Sequence, residues 1–349
     1  MDVSRIKVSG LKCFSGPREV DLDLARPDGT AAGWTVLAGP NGSGKTTLLQ
    51  AVALALGAHP AVAADRWLTA GCPAGSVELN GGAAWRVTAG ERPRAERTGP
   101  LSVRHRYFGP TRRPAAAEIR GAAAALVEDG LLPDGWRLDP RPHADGPWAV
   151  RAGVALPLPE LGDGTAALAA LVAELSAITR RTRPEYLDDT PTLPVRATVL
   201  IDDIEAHLHP AWQQRVGSWL TAHFPKVQFI VATHSPYVCQ ASDPGALIRL
   251  PGPEDGAAGP RLLGEDLHQR ILYGSGDDTA LSELFGLASA YSPNAEAERR
   301  LLVRLERKLY AGDASAAELA EYRELGAKLN SSLTARADEA TARLLGRDR

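Results

Sequence analysis

The stretch Gly39-Pro40-Asn41-Gly42-Ser43-Gly44-Lys45-Thr46 has residue types and spacing suited to one chemistry, the cradling of phosphates. It fits the pattern G-x-x-x-x-G-K-[ST]. Glycines at 39, 42 and 44 let the backbone wrap round a β-phosphate, so that successive N–H groups and the positive end of the next helix point at it. Pro40, Asn41 and Ser43 complete the loop, and Thr47 continues it into the helix. Lys45 is spaced to reach β- and γ-phosphates, and the Thr46 hydroxyl to ligate Mg²⁺. The pattern predicts a bound nucleoside triphosphate, with ATP and Mg²⁺ as the expected cofactors.

A second group of chemical residues follows much later, in Ala197-Thr-Val-Leu-Ile-Asp202-Asp203-Ile-Glu205. An apolar strand ending in an acidic residue is the Walker B pattern. Asp202 is expected to hold the Mg²⁺ shell through water, and Asp203 to orient or deprotonate the attacking water. Glu205 points to the opposite face if the strand continues. Another apolar strand ends in Ala232-Thr233-His234-Ser235, which puts His234 on the same sheet edge as a switch at the γ-phosphate. The bland alternative is a surface or capping histidine. The expected catalytic set is Lys45, Asp203 and His234, with Thr46 and Asp202 on the metal.

These residues need a scaffold that the rest of the pattern supplies. Trp34–Ala38 reads as a short buried strand before the loop, and 47–56 as an apolar helix stopped by Gly57. Residues 3–8 and 18–24 alternate like strands of an N-terminal antiparallel layer. Short β-like pieces (76–79, 84–87, 135–138, 147–151) and a helix over 118–129 suggest an inserted lobe across about 60–160. Residues 166–180 read as a helix. The apolar runs at 198–201 and 227–231 match parallel strands buried on both faces. The expected fold is α/β: an N-terminal antiparallel layer, a central mostly parallel sheet carrying the P-loop, and a C-terminal helical hairpin. The hairpin follows from Ser292-Pro293 as cap and first turn, and from the capping box Ser315-Ala-Ala-Glu318. Its apolar faces are Leu301, Leu302, Leu305 and Leu309, and Leu319, Tyr322, Leu325 and Leu329. Two domains are expected, 1–264 and 265–349.

Composition removes several classes. No apolar run reaches membrane-spanning length, and the N-terminus lacks a hydrophobic signal core, so a cytoplasmic protein is expected. Cys13, Cys72 and Cys239 have no paired spacing for disulfides or zinc. A formal net charge of −3 gives no global case for nucleic acid. Locally the balance reverses: nine arginines stand against three glutamates between Arg86 and Arg120. Three readings stay open for this stretch: a DNA- or RNA-binding arm, a solvated β-arm, or Arg112 and Arg113 at the nucleotide or a dimer seam.

Taken together, the motifs resemble the ABC-type ATPases of the SMC, RecF and OLD kind over about residues 1–250. Asp202-Asp-Ile-Glu-Ala-His-Leu-His-Pro210 is similar to the DExExHLHP stretch of OLD-like ATPases, and Leu161-Gly162-Asp163-Gly164-Thr165 sits where that superfamily carries its signature. The resemblance implies that Gly162 and Gly164 act in trans. The signature helix of one subunit would cap ATP on the P-loop of another, so that nucleotide glues a head-to-tail dimer. Within the superfamily the chain most resembles PtuA-like ATPases of bacterial anti-phage systems, through Leu132-Pro-Asp-Gly-Trp136, 224–236 and Tyr273-Gly-Ser…Leu284-Phe-Gly-Leu287. That resemblance implies a sensor and scaffold working with a separate HNH-type nuclease.

The chain departs from the superfamily pattern in three places. Asp203 stands where glutamate is usual, Gly162 replaces the signature serine, and no glutamine lies between Gln50 and Gln213 to serve as the Q-loop residue. These departures imply slow hydrolysis. There is no room between P-loop and signature for a long coiled coil, and Gly264-Glu265-Asp266 lacks the partner strand of a two-metal nuclease. The alternatives are a RecF-like DNA-repair ATPase and an ATP-sensing scaffold with negligible hydrolysis. A transporter subunit fits least.

Overall fold

Every residue of three strands, Trp34–Ala38, Ala197–Ile201 and Val227–Thr233, is buried. Such runs are stable only where helices or a second sheet cover both faces. The computed structural model describes residues 2–25, 31, 33–58, 63–90, 93–99, 105–109, 119, 121–141, 143, 145–182 and 192–329.

In chain order, β1 (Arg5–Ser9) and β2 (Val20–Asp23) precede β3 (Trp34–Ala38), which runs through the glycine loop into α1 (Lys45–Leu56). A meander follows: β4 (Ala74–Leu79), β5 (Ala83–Thr88) and β6 (Arg94–Thr98). Next come β7 (His105–Phe108), α2 (Ala122–Glu128), β8 (Arg137–Leu138), β9 (Trp148–Arg151), β10 (Val154–Pro157) and the long α3 (Asp163–Thr182). Then β11 (Ala197–Ile201), α4 (Pro210–Gln213), α5 (Val216–His223), β12 (Val227–Thr233) and α6 (Pro236–Cys239) complete the site region. The remainder is β13 (Leu247–Arg249), β14 (Arg261–Leu262), α7 (Glu265–Tyr273), α8 (Gly276–Leu281), α9 (Pro293–Ala311) and α10 (Ala316–Leu329).

The central sheet has the order β14-β13-β3-β12-β11-β7, parallel except for the β13–β14 pair. Alternate residues of its strands feed two cores, as the two-residue period of a strand demands. Val36, Val199, Ile201, Phe229 and Val231 join Leu126, Val172, Leu175 and Leu220 of α2, α3 and α5. Leu37, Leu200, Ile230 and Ala232 join Leu48, Leu49 and Val52 of α1 and the inner face of a second, antiparallel sheet. That sheet, β2-β1-β4-β5-β6, is the expected N-terminal layer made larger. The pieces read from sequence as part of an inserted lobe are divided: residues 74–98 extend the N-terminal sheet, β7 closes the central sheet, and β8–β10 form a small sheet of their own. The sequence could not show this, because the pairings that assign the pieces to their sheets, β1 with β4 and β7 with β11, join strands far apart along the chain.

The chain divides into two compact units, Met1–Gly286 and Leu287–Arg349. The break lies beyond the 264/265 position that composition suggested, since Ile271 of α7 and Leu284 are buried in the core of the first unit. The second unit contains the expected helical hairpin. The Ser292 hydroxyl accepts from the Ala295 N–H at 3.3 Å with Pro293 at the first turn, and Gly312 ends α9 in the left-handed region at φ 79°. Ser315 and Glu318 form the reciprocal capping box at 3.2 and 2.9 Å. Among the described residues no helix is long and apolar enough to cross a membrane.

Candidate nucleotide-binding site

The glycine loop spans the end of β3 and the start of α1, and its glycines answer to crowding as well as to flexibility. Gly44 caps α1 at φ 96°. A Cβ there would lie 2.6 Å from Cys13 Sγ and 2.8 Å from Phe14 Cζ. At Gly39 (φ 151°) a Cβ would collide with the Leu250 carbonyl oxygen. The loop is therefore backed by the segment after β13. Arg18 ties the two together: its guanidinium donates to the carbonyls of Pro251 (2.6 Å), Gly252 (3.4 Å) and Ser43 (3.5 Å). Asp255 holds the same segment by accepting from the Gly252 N–H and from Arg249, each at 2.8 Å.

Lys45 is 5% exposed and folds back into the loop. Its ammonium donates to the carbonyls of Gly39 (2.8 Å) and Pro40 (3.0 Å) and to Ser43 Oγ (3.4 Å). Burial pushes its pKa from 10.5 down to about 8, against the pull of Asp203, Glu205 and Asp202. At the next residue, the Thr46 hydroxyl donates to Asp202 Oδ1 at 3.1 Å. Asp202 is fully buried at the end of β11, and burial, then the Asp203 charge, raises its pKa. The second carboxylate oxygen takes the Tyr107 hydroxyl at 3.3 Å, and Gln50 donates to that hydroxyl at 3.3 Å.

A hydroxyl and a carboxylate brought together beside a desolvated ammonium fit phosphate and Mg²⁺. Among the described residues no three or more His, Cys, Asp or Glu side chains converge as a metal cage.

β11 ends at Ile201, and a turn follows instead of more strand. Asp203 has φ 46° and His207 φ 66°, both in the left-handed region. Aspartate tolerates that region better than glutamate does, a physical reason for the shorter side chain at 203. The turn also corrects the expectation for Glu205. Rather than facing away, it accepts from the Thr233 hydroxyl at 2.6 Å and from the His234 N–H at 2.5 Å. His234 thus stands at the end of β12 with its backbone fixed by the acidic turn. Its side chain is exposed, and partial desolvation, then Lys45, lowers its pKa, with Glu205 and Asp203 opposing.

The same turn meets the second glycine of the expected signature. α3 begins at Asp163, three residues before the start read from sequence, so Gly164 lies in its first turn. A Cβ on Gly164 would stand 2.5 Å from the His207 carbonyl oxygen and 3.0 Å from Leu208 Cδ2. Gly162 has φ 132° and open space around it. Lys45, Thr46, Asp202, Asp203 and His234 therefore gather at one edge of the sheet, while Gly164 packs on the turn at His207 and Leu208. Pro40, Asn41, Gly42, Ser43 and Thr47 occupy the loop and first helical turn as expected.

The described arginines of the arginine-rich stretch lie on β5, β6 and β7, which belong to two different sheets. Arg86 pairs with Glu78 at 2.5 Å, Arg97 donates to the carbonyls of Ala55, Thr98 and Gly99, and Arg106 pairs with Glu174. Arg92, Arg104, Arg112, Arg113 and Arg120 lie outside the described residues. Sequence reasoning missed Tyr107, Gln50 and Arg18. Tyr107 lies within the arginine-rich stretch, and only the pairing of β7 with β11 brings it to Asp202.

Comparison with known proteins agrees with this geometry. Residues 150–240 match the family described as "AAA domain, putative AbiEii toxin, Type IV TA system", and residues 5–80 match a family described as "AAA domain". The chain is 39% identical over 92 residues to the Retron Ec83 probable ATPase of Escherichia coli, which covers 26% of this chain and 16% of that protein. It is 35% identical over 98 residues to the Septu protein PtuA of Bacillus thuringiensis, covering 27% of this chain and 24% of that one. The matched stretches are thus less than a quarter of either relative. Among solved structures, the Smc head bound to the C-winged helix domain of ScpA aligns with a TM-score of 0.55 at 17% identity, over 77% of this chain and all of that one. At this identity the likeness shows the fold alone.

Proposed function

We propose that this SMC/RecF-like AAA ATPase head binds and slowly hydrolyses ATP with Mg²⁺, and that it serves as the nucleotide-gated sensor and scaffold of an anti-phage complex. One observation carries the reading: the Lys45 ammonium, the Thr46 hydroxyl and the Asp202 carboxylate meet at the mouth of a glycine loop too crowded for any Cβ at 39 or 44. Bound Mg²⁺ would supply charge neutralisation to the phosphates. Thr46 and Asp202 would hold it, Lys45 and the loop N–H groups would hold the phosphates, and Asp203 would orient the water. His234 would read the γ-phosphate position from a backbone fixed by Glu205.

The defence role is supported by the named relatives. The head-to-tail dimer through Gly162 and Gly164 and the separate HNH-type nuclease partner are what the resemblance to PtuA-like proteins implies, and a cytoplasmic location is the expectation from composition. Slow turnover is supported by Asp203, whose backbone conformation disfavours the longer glutamate. The DNA-repair alternative rests on the Arg86–Arg120 stretch, of which Arg86, Arg97 and Arg106 have partners within the fold and Arg94 is exposed.

Two measurements test the proposal. Lys45→Ala should abolish ATP binding in a fluorescent-nucleotide titration, and full affinity in the variant would remove the site assignment. A tagged chain expressed with its neighbouring genes, purified with and without ATP, should bring down a stoichiometric nuclease. A clean homodimer carrying nucleic acid would transfer the reading to a repair ATPase.

A further inference from the structure

We propose that Tyr107, oriented by Gln50, is a positioning residue that fixes the Mg²⁺-facing carboxylate of Asp202; this rests on the ATP–Mg²⁺ reading above. Tyr107 lies on β7, paired in parallel register with Leu200 of β11, two residues before Asp202. Its hydroxyl is 3.3 Å from Asp202 Oδ2, while Oδ1 takes Thr46 at 3.1 Å. Gln50 Nε2 donates to the phenol oxygen at 3.3 Å. Thr46 and Gln50 are four residues apart on α1 and share one face. One helix thus grips both oxygens of the carboxylate, directly through Thr46 and through Tyr107 from Gln50.

The direction of each bond follows from donor chemistry. An amide N–H cannot accept, so Gln50 occupies a lone pair of the phenol oxygen and leaves its proton for Asp202. A phenol keeps its proton at neutral pH, so the hydroxyl is a donor there. Asp202 is fully buried and receives one hydroxyl on each carboxylate oxygen. A carboxylate held in one orientation is the arrangement a small, geometry-demanding cation requires. It also explains why a tyrosine's polar end faces the interior at the last strand of the sheet. The competing account is that the ring only packs beneath the sheet, where it touches the α1-side core.

Phenylalanine keeps that packing and removes the hydroxyl. In the full chain, Tyr107→Phe and Gln50→Leu would be compared with wild type by titrating a fluorescent ATP analogue over a Mg²⁺ series and in excess EDTA. We expect unchanged metal-free affinity and a roughly tenfold higher Mg²⁺ concentration for half-maximal enhancement in Tyr107→Phe. Gln50→Leu should move the same way by less, and the double variant no further than Tyr107→Phe. If Tyr107→Phe lowers the melting temperature, Gln50→Leu, which leaves the ring in place, reads the same link. A Mg²⁺ dependence equal to wild type in both variants overturns the proposal. A wild-type chain that binds no ATP under either condition overturns the parent reading instead.

Discussion

Lys45 should give the nucleotide-free protein a stability that rises with pH, the reverse of a lysine in an ion pair. Its ammonium is buried at 5% exposure with three oxygen acceptors. Burial still takes its pKa from 10.5 to about 8. Below pH 8 the lysine is protonated in both states. Between about 8 and 10.5 the unfolded chain keeps a proton that the folded chain has released, so the free energy of unfolding climbs with pH. At about 1.4 kcal/mol per pH unit, crossing that window adds on the order of 3 kcal/mol. Tyr107 and Cys239, whose pKa values burial raises, act in the opposite direction there, and Lys12, whose pKa burial lowers, acts in the same one. The wild type must therefore be measured against Lys45→Met, in which those terms largely cancel. Urea unfolding followed by tryptophan fluorescence would supply both curves. The wild-type advantage over the variant should grow by about 3 kcal/mol across the window. A difference flat to within about 0.5 kcal/mol would refute the argument, since the ammonium would then be hydrated as in the unfolded chain. The linked expectation is that ATP affinity falls as pH passes about 8, where Lys45 loses its charge.

Three further outcomes follow from the geometry. Gly44→Ala should cost about 2–4 kcal/mol in urea unfolding, combining left-handed backbone strain with overpacking against Cys13 and Phe14. Asp203→Asn should keep the turn and the ATP affinity, because asparagine accepts φ 46°, while single-turnover hydrolysis falls on the order of 100-fold. Gly164→Ala should press on the His207 carbonyl and cost about 1–3 kcal/mol. In mass photometry with ATP, that variant should also show less dimer than wild type.

Much of the frame could be read from the residues. The buried runs 34–38, 197–201 and 227–233 announce a parallel sheet because strands covered on both faces show no polar alternation. Gly57, at φ 70°, ends α1 where the pattern stops. The Ser292 and Ser315 caps work because capping is chemistry within one turn of helix. What escaped depends on pairing at long range or on backbone conformation. β7 looks like a cationic arm until its register with β11 is known. Glu205 seems to face away until Asp203 turns the chain at φ 46°. Arg18 opens a stretch that alternates like a strand, and its meaning comes from carbonyls more than two hundred positions later.

That arginine has a thermodynamic consequence. A glycine-rich loop in isolation samples many shapes, and gathering it around a ligand sacrifices conformational entropy. Here the loop rests on Leu250–Pro253, fastened by Arg18 on one side and Asp255 on the other. Much of its disorder is given up when the chain folds, before any ligand arrives. Nucleotide thus meets a rigid mould, and association should be quick and carry little ordering penalty. On the proposed reading, the binding signal would then be expressed elsewhere, in the acidic turn and the histidine beyond it, rather than in the loop that does the gripping.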